Sequence, residues 1–261
     1  MSNVPAAAQV LAILRHLSRQ PQPVAAATIS RDLKLPRSTT YHLLSTLMDE
    51  GFVVRLPDER RYSLGLSAYE LGSGYSRQVP LQRFARVPLA NLVDRAGHTA
   101  HLAVLHGREV VYVIEERAPR RPPLITDVGV RLPAHLTASG RAMLAVLPAA
   151  QVRALFPDRD AFVLRHGGGP RSLSALRRVL VDVRRRGHAE EDGEVTPGFA
   201  SVAVPVLTHD GRPAAAVAVT YPTAEVTAVA QARIVGLVAE TADIVAARLT
   251  GDRAIARRTS R

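Results

Sequence analysis

Apolar positions recur at helical spacing through the first fifty residues: Val10, Ile13, Leu14 and Leu17, then Ile29 and Leu33, then Thr40, Leu43, Leu44 and Leu47. That spacing predicts three short amphipathic helices. Pro21 and Pro23 stop the first, Lys34-Leu35 turns the chain, and Pro36 opens a third helix that runs from about Arg37 to Asp49 and ends at Gly51. The period then changes. Phe52–Leu56 and Arg61–Leu64 alternate on either side of Pro57-Asp58-Glu59-Arg60, the pattern of a β-hairpin. Three helices followed by a hairpin predict a winged helix-turn-helix over residues 1–65.

Residues 66–79 read as a connecting segment, with a short helix at 66–71 that Gly72 and Gly74 interrupt. From 80 to 251 helical and alternating stretches intermix. Helices are expected at 80–96, 138–147, 148–156, 172–186 and 224–250, and strands at 98–105, 110–116, 188–191, 200–208 and 214–221. This order predicts an α+β domain. The Arg-rich end, 252–261, is expected to be disordered.

With the apolar stripe of the third helix turned inward, its other face presents Arg37, Ser38, Tyr41, His42 and Ser45, with Thr39 beside them. Short polar groups and longer donors near a helix start suit base edges and phosphates in the major groove of duplex DNA. Arg55, Arg60 and Arg61 on the hairpin suit backbone phosphates.

Composition sharpens this only slightly. The 261 residues are 47% hydrophobic and 22% charged, enough for a packed core. The net charge of +11 suggests a polyanionic partner. Residues 1–64, however, carry eight basic and five acidic side chains, so the head alone is modestly basic. Lys34 is the only lysine among 34 basic residues. There is no cysteine, which excludes disulfides, thiol nucleophiles and cysteine-based zinc sites. The N-terminus lacks a basic-then-apolar leader, and no run of about 18 apolar residues occurs, so a cytoplasmic location without membrane contact is expected.

In the larger domain Thr137 can cap a helix whose first turn is Ala138-Ser139-Gly140-Arg141. The unpaired N–H groups of such a turn attract anions; Gly140 would permit close approach and Arg141 would add charge, so a small carboxylate would suit it. The same residues also suit an ordinary capped helix with no ligand. The acidic run Glu190-Glu191-Asp192-Gly193-Glu194 reads either as a solvated loop or as one closing the end of a pocket.

Several segments together carry a resemblance. Leu35-Pro36-Arg37-Ser38-Thr39-Thr40-Tyr41-His42-Leu43-Leu44, Gly51-Phe52-Val53 and Tyr62-Ser63-Leu64-Gly65 resemble the head of the IclR family of bacterial regulators. The likeness continues through Gly97–Leu102, Leu132–Arg141, Gly187–Gly198, Ala203–Val206 and Val219–Pro222. It implies a GAF-like, IclR-type effector-binding domain, with pocket positions at Ala138, Ser139, Glu191, Ser201, Ala218 and Thr220 and Gly140 at the same turn. The family often has Asp, Cys and Ser where this chain has Glu191, Ser201 and Ala218, and Arg at His42. The resemblance further implies a homodimer, or a dimer of dimers, on an operator, responding to a small organic acid or aromatic.

Other signals lead nowhere. His166-Gly167-Gly168-Gly169 looks like an esterase oxyanion loop, but no Gly-x-Ser-x-Gly elbow follows. His98, His101 and His106 lack an accompanying carboxylate pattern, and on a strand the first two would point to opposite faces. Glycine motifs for nucleotides do not occur. No cofactor, metal or catalytic group is expected. The sequence therefore reads as a ligand-responsive transcription regulator, a repressor by preference. The alternatives are a constitutive DNA-binding protein with a vestigial sensor and an enzyme carrying a winged-helix scaffold.

Overall fold

The computed structural model describes residues 4–56, 60–71 and 80–251. Contacts divide the chain into two units, Met1–Val79 and Pro80–Arg261. Gly72, Gly74 and the tail 252–261 lie outside the described residues, as do positions 57–59 of the hairpin turn.

In the first unit α1 (Pro5–Ser18), α2 (Ala26–Leu33) and α3 (Arg37–Asp49) pack on an antiparallel sheet of β1 (Val24–Ala25), β2 (Val53–Leu56) and β3 (Arg61–Leu64), in the order β1-β3-β2. A helical stretch at 66–71 (α4) follows. The core is Ile13, Leu17, Ile29, Leu44, Leu47, Val53 and Tyr62, largely the positions the helical spacing selects. Leu43 is the exception on α3, being only half-buried. The two-residue β1 was not expected; it pairs Val24 with Tyr62 and is too short to show a period.

The second unit is built on six antiparallel strands: β4 (Thr99–His106), β5 (Glu109–Glu116), β6 (Arg131–Pro133), β7 (Ala189–Asp192), β8 (Phe199–Leu207) and β9 (Pro213–Pro222). Their order is β6-β5-β4-β9-β8-β7. One face carries Ala103, Ala203, Ala216 and Ala218, whose small side chains let α6 (Ala138–Val146) pack closely. Below α6 the cluster extends to α7 (Ala149–Leu155) and α8 (Leu173–Arg186) through Val152, Leu176, Leu180 and Val183. Alternation sends Leu102, Val202 and Val217 to the opposite face, where α5 (Pro80–Ala96) and α9 (Ala228–Thr250) lie against β4, β8 and β9. Pro88 inside α5 cannot donate to Phe84, and Arg248 of α9 supplies that carbonyl with a hydrogen bond of 3.1 Å.

Two boundaries differ from expectation. The last helix begins at Ala228 rather than near 224, because Thr227 caps it by accepting from Ala230 N–H at 3.3 Å. The acidic run is not a loop throughout: Ala189–Asp192 is the edge strand β7. Its alternation turns Glu191 inward, while Glu190 faces Arg186, His188 and Gln231. Among the described residues no helix is long and apolar enough to cross a membrane.

Candidate functional site

In the first unit the turn before α3 is fixed from both sides. Ser30 Oγ donates to the Leu35 carbonyl at 2.7 Å, and Leu35 N–H donates to the Ser30 carbonyl at 2.9 Å. Lys34 adopts a left-handed conformation (φ 55°) that ends α2 and reverses the chain. On α3, Arg37, Ser38, Tyr41, His42 and Ser45 are exposed, whereas Thr39 is half-buried. No side chain caps α3, so its first-turn N–H groups stay open to an anion. Arg55 and Arg60 are exposed on the hairpin. Arg61 is also exposed, but its guanidinium donates to the Pro23 carbonyl at 3.4 Å and ties β3 to the approach of β1.

The second unit holds a cavity between the sheet and the start of α6. It measures about 380 Å³ with its mouth included. Its enclosed part has room for on the order of one water molecule. Strand register builds one wall. Glu191 on β7 pairs with Ser201 on β8, which pairs with Thr220 on β9, so the three side chains form a row on one face. Ser201 Oγ donates to Glu191 Oε1 at 2.7 Å and lies 2.9 Å from Thr220 Oγ1. When Glu191 is ionised, the one hydrogen of Ser201 goes to it and Thr220 donates to Ser201. Val195 N–H reaches Glu191 Oε2 at 3.4 Å. Burial pushes the Glu191 carboxyl up to about 7, with Glu194 adding to the rise against the Ser201 hydrogen bond and Arg141.

In the neighbouring row His101 pairs with Ala218, and both line the cavity. The ring of His101 is 2.8 Å from Thr126 Oγ1, and burial, helped by Arg117, lowers its pKa to about 3, so it is neutral. Tyr112 adjoins it edge-on. Its phenol is held above its ordinary range by burial and by Glu191. Leu124 and Thr126, from the stretch between β5 and β6, also line the cavity.

The facing wall is the first turn of α6. Thr137 Oγ1 accepts from Gly140 N–H at 3.0 Å, the cap expected from the sequence. Ala138 and Ser139 line the cavity, and Ser139, only 2% exposed, makes no side-chain hydrogen bond.

Two expectations about this turn are corrected. Gly140 does not face the cavity. A Cβ there would lie 2.1 Å from the Ala134 carbonyl oxygen, so the glycine admits backbone, not ligand. Arg141 does not line the cavity either. Its guanidinium donates to the His135 carbonyl (2.9 Å), the Glu190 carbonyl (2.8 Å) and Glu194 Oε1 (2.8 Å). The His166–Gly169 segment borders that cluster: a Cβ on Gly168 would meet Glu194, and one on Gly169 would meet Leu136.

The structure thus brings Ala138, Ser139, Glu191, Ser201, Ala218 and Thr220 to one cavity and leaves Gly140 behind it. Sequence reasoning missed Tyr112, Thr126 and the placement of His101. Only strand register, which crosses more than a hundred residues of chain between His101 and Ala218, could have found the last. Among the described residues no cluster of three or more His, Asp or Glu could hold a metal ion.

Comparison with known proteins places these features in a group. The profile of the IclR helix-turn-helix domain matches residues 6–57, and that of the bacterial transcriptional regulator IclR C-terminal domain matches residues 74–247. The chain is 31% identical over 218 residues to the HTH-type transcriptional regulator XynR of Escherichia coli K12, covering 84% of this chain and 86% of that one. It is 26% identical over 235 residues to the transcriptional repressor IclR of the same organism, covering 87% and 85%. A crystal structure of an IclR-type regulator from Alicyclobacillus acidocaldarius superposes with a TM-score of 0.85 at 26% identity, over 95% of this chain and all of that one.

Proposed function

Since the chain belongs to the IclR family of bacterial transcriptional regulators, we propose that it is a ligand-responsive repressor: α3 and the hairpin grip operator DNA, and a small effector in the cavity changes that grip. The observation that carries the sensing half is the cavity itself, with a polar row on one wall and the unpartnered, buried Ser139 on the other. The exposed polar face of α3, fixed by the Ser30–Leu35 turn, supports the DNA half. Repression is supported by the name of the Escherichia coli relative. Operators offer paired half-sites, so the working form is a homodimer or a dimer of dimers. An effector acts only through its different affinity for the DNA-competent and DNA-incompetent states.

The test is footprinting of the full chain on genomic DNA, followed by anisotropy titration on the recovered fragment with Arg37→Ala. Loss of a base or phosphate contact on α3 weakens binding by about 1–3 kcal/mol. A variant that footprints like wild type would refute the placement of the DNA surface. Small molecules recovered from genes beside the footprint should raise Tm by mass action and shift operator affinity. Stabilisation without any change in DNA binding would refute the coupling.

A further inference from the structure

The cavity's two walls differ in what they offer a ligand. On the sheet side, with Glu191 ionised as at pH 8, Ser201 directs its proton to Glu191 and Thr220 directs its proton to Ser201. The row therefore turns lone pairs, not protons, toward the cavity, and it ends on a carboxyl group. On the α6 side Ser139 and the free amides of the first turn are donors. Among the described residues that line the cavity none is Lys or Arg, and His101 is neutral. The nearest guanidinium, Arg141, is fully engaged by Glu194 and two carbonyls.

Resting on the reading of the cavity as an effector site, we propose that it selects a neutral, hydroxyl-bearing molecule, an alcohol, polyol or phenol, over a carboxylate. A hydroxyl both donates and accepts, so it satisfies either wall. A carboxylate only accepts. It suits the α6 turn alone and brings a second negative charge beside Glu191 with no cation to balance it. This departs from the small organic acid that the sequence resemblance implies.

Protons make the preference measurable. The groups facing Glu191 are Ser201 and the Val195 N–H, with Glu194, Arg141 and Tyr112 nearby. With Glu191 titrating near 7, an anion binds best when that carboxyl is protonated. Its affinity then falls about tenfold between pH 6 and pH 8, while that of a neutral ligand barely changes.

The experiment uses the full chain and two isosteric pairs: propane-1,2-diol against lactate, and 4-hydroxybenzyl alcohol against 4-hydroxybenzoate. Dissociation constants are measured calorimetrically at pH 6 and pH 8 for wild type and Glu191→Gln. The neutral member of at least one pair should bind at least tenfold tighter than its acid at pH 8, and the gap should narrow at pH 6. In Glu191→Gln the acid should gain affinity and lose its pH dependence. If the acids bind wild type as tightly as the neutral partners at pH 8, the selectivity is overturned while the effector cavity stands. If no compound in either pair, nor in a mixed library of neutral and anionic metabolites, stabilises the protein, the effector reading fails and the selectivity with it. The wild-type pH series decides the matter even if the variant folds poorly.

Discussion

Glu191→Gln should make the ligand-free protein more stable at pH 8 and leave it nearly unchanged near pH 4. The folded carboxyl holds its proton up to about pH 7, whereas an unperturbed glutamate releases it near 4.5. A raised folded-state pKa contributes stability that is fully present below 4.5 and is lost as the pH rises through 7, because the native state binds more protons across that window. The difference between the two values corresponds to about 3 kcal/mol once both states are ionised. Gln keeps a carbonyl to accept from Ser201 and never ionises, so it mimics the protonated acid across the range. In a unit of this size about 3 kcal/mol moves Tm by roughly 6–12 °C.

The assay is thermal unfolding of wild type and variant by circular dichroism at intervals from pH 4 to pH 8. The quantity to plot is the difference in Tm, which cancels every other titrating group. It should rise from about pH 4.5 and level off above about pH 7. A difference that stays flat, or a variant less stable at pH 8, would mean that Glu191 is not held in the desolvated setting that its hydrogen bonds and burial describe.

Three further outcomes are expected. Arg141→Met should lose about 3–5 kcal/mol, since it strands Glu194 and two carbonyls that the 95%-buried guanidinium now satisfies; a loss under about 1 kcal/mol in urea unfolding would contradict a structural role. Gly140→Ala should destabilise by about 1–3 kcal/mol or more through overlap with the Ala134 carbonyl; unchanged melting with lost effector binding would return Gly140 to the cavity. Arg60→Ala should weaken operator binding nearly uniformly across sequences and reduce the salt slope by about 1, as read from anisotropy titrations at several salt concentrations; a sequence-selective defect would point to a base contact instead.

What the sequence made legible was local. Helical spacing located α1 to α3 and their buried residues, and hydropathy alternation located the long strands. Thr137 was readable as a cap because its partner, Gly140, lies three residues on. The missed strands β1 and β6 have two and three residues, too few for any period to show. The roles of Gly140 and Arg141 were misread for different reasons. Gly140 owes its identity to close approach of the chain just before its own helix, which a cap reading takes for open space. Arg141 owes its direction to Glu190 and Glu194, some fifty residues away.

That second misreading changes the chemistry of the site. An arginine in the first turn of a helix, seen in sequence, looks like a charge offered to an anion. Folded, it neutralises Glu194 and fastens β7 to α6, so Glu194 and Glu191 meet different fates. Glu194 has its counter-ion; Glu191, three residues earlier and turned inward by strand alternation, has only a serine hydroxyl and a distant amide. The cavity therefore contains an acid with no cation in contact with it and a helix start without an anion. A carboxylate would satisfy the second at the expense of the first. A neutral hydroxyl compound leaves Glu191 free to accept a hydrogen bond in either protonation state, which is why the pH series on paired alcohols and acids is the measurement that separates the two.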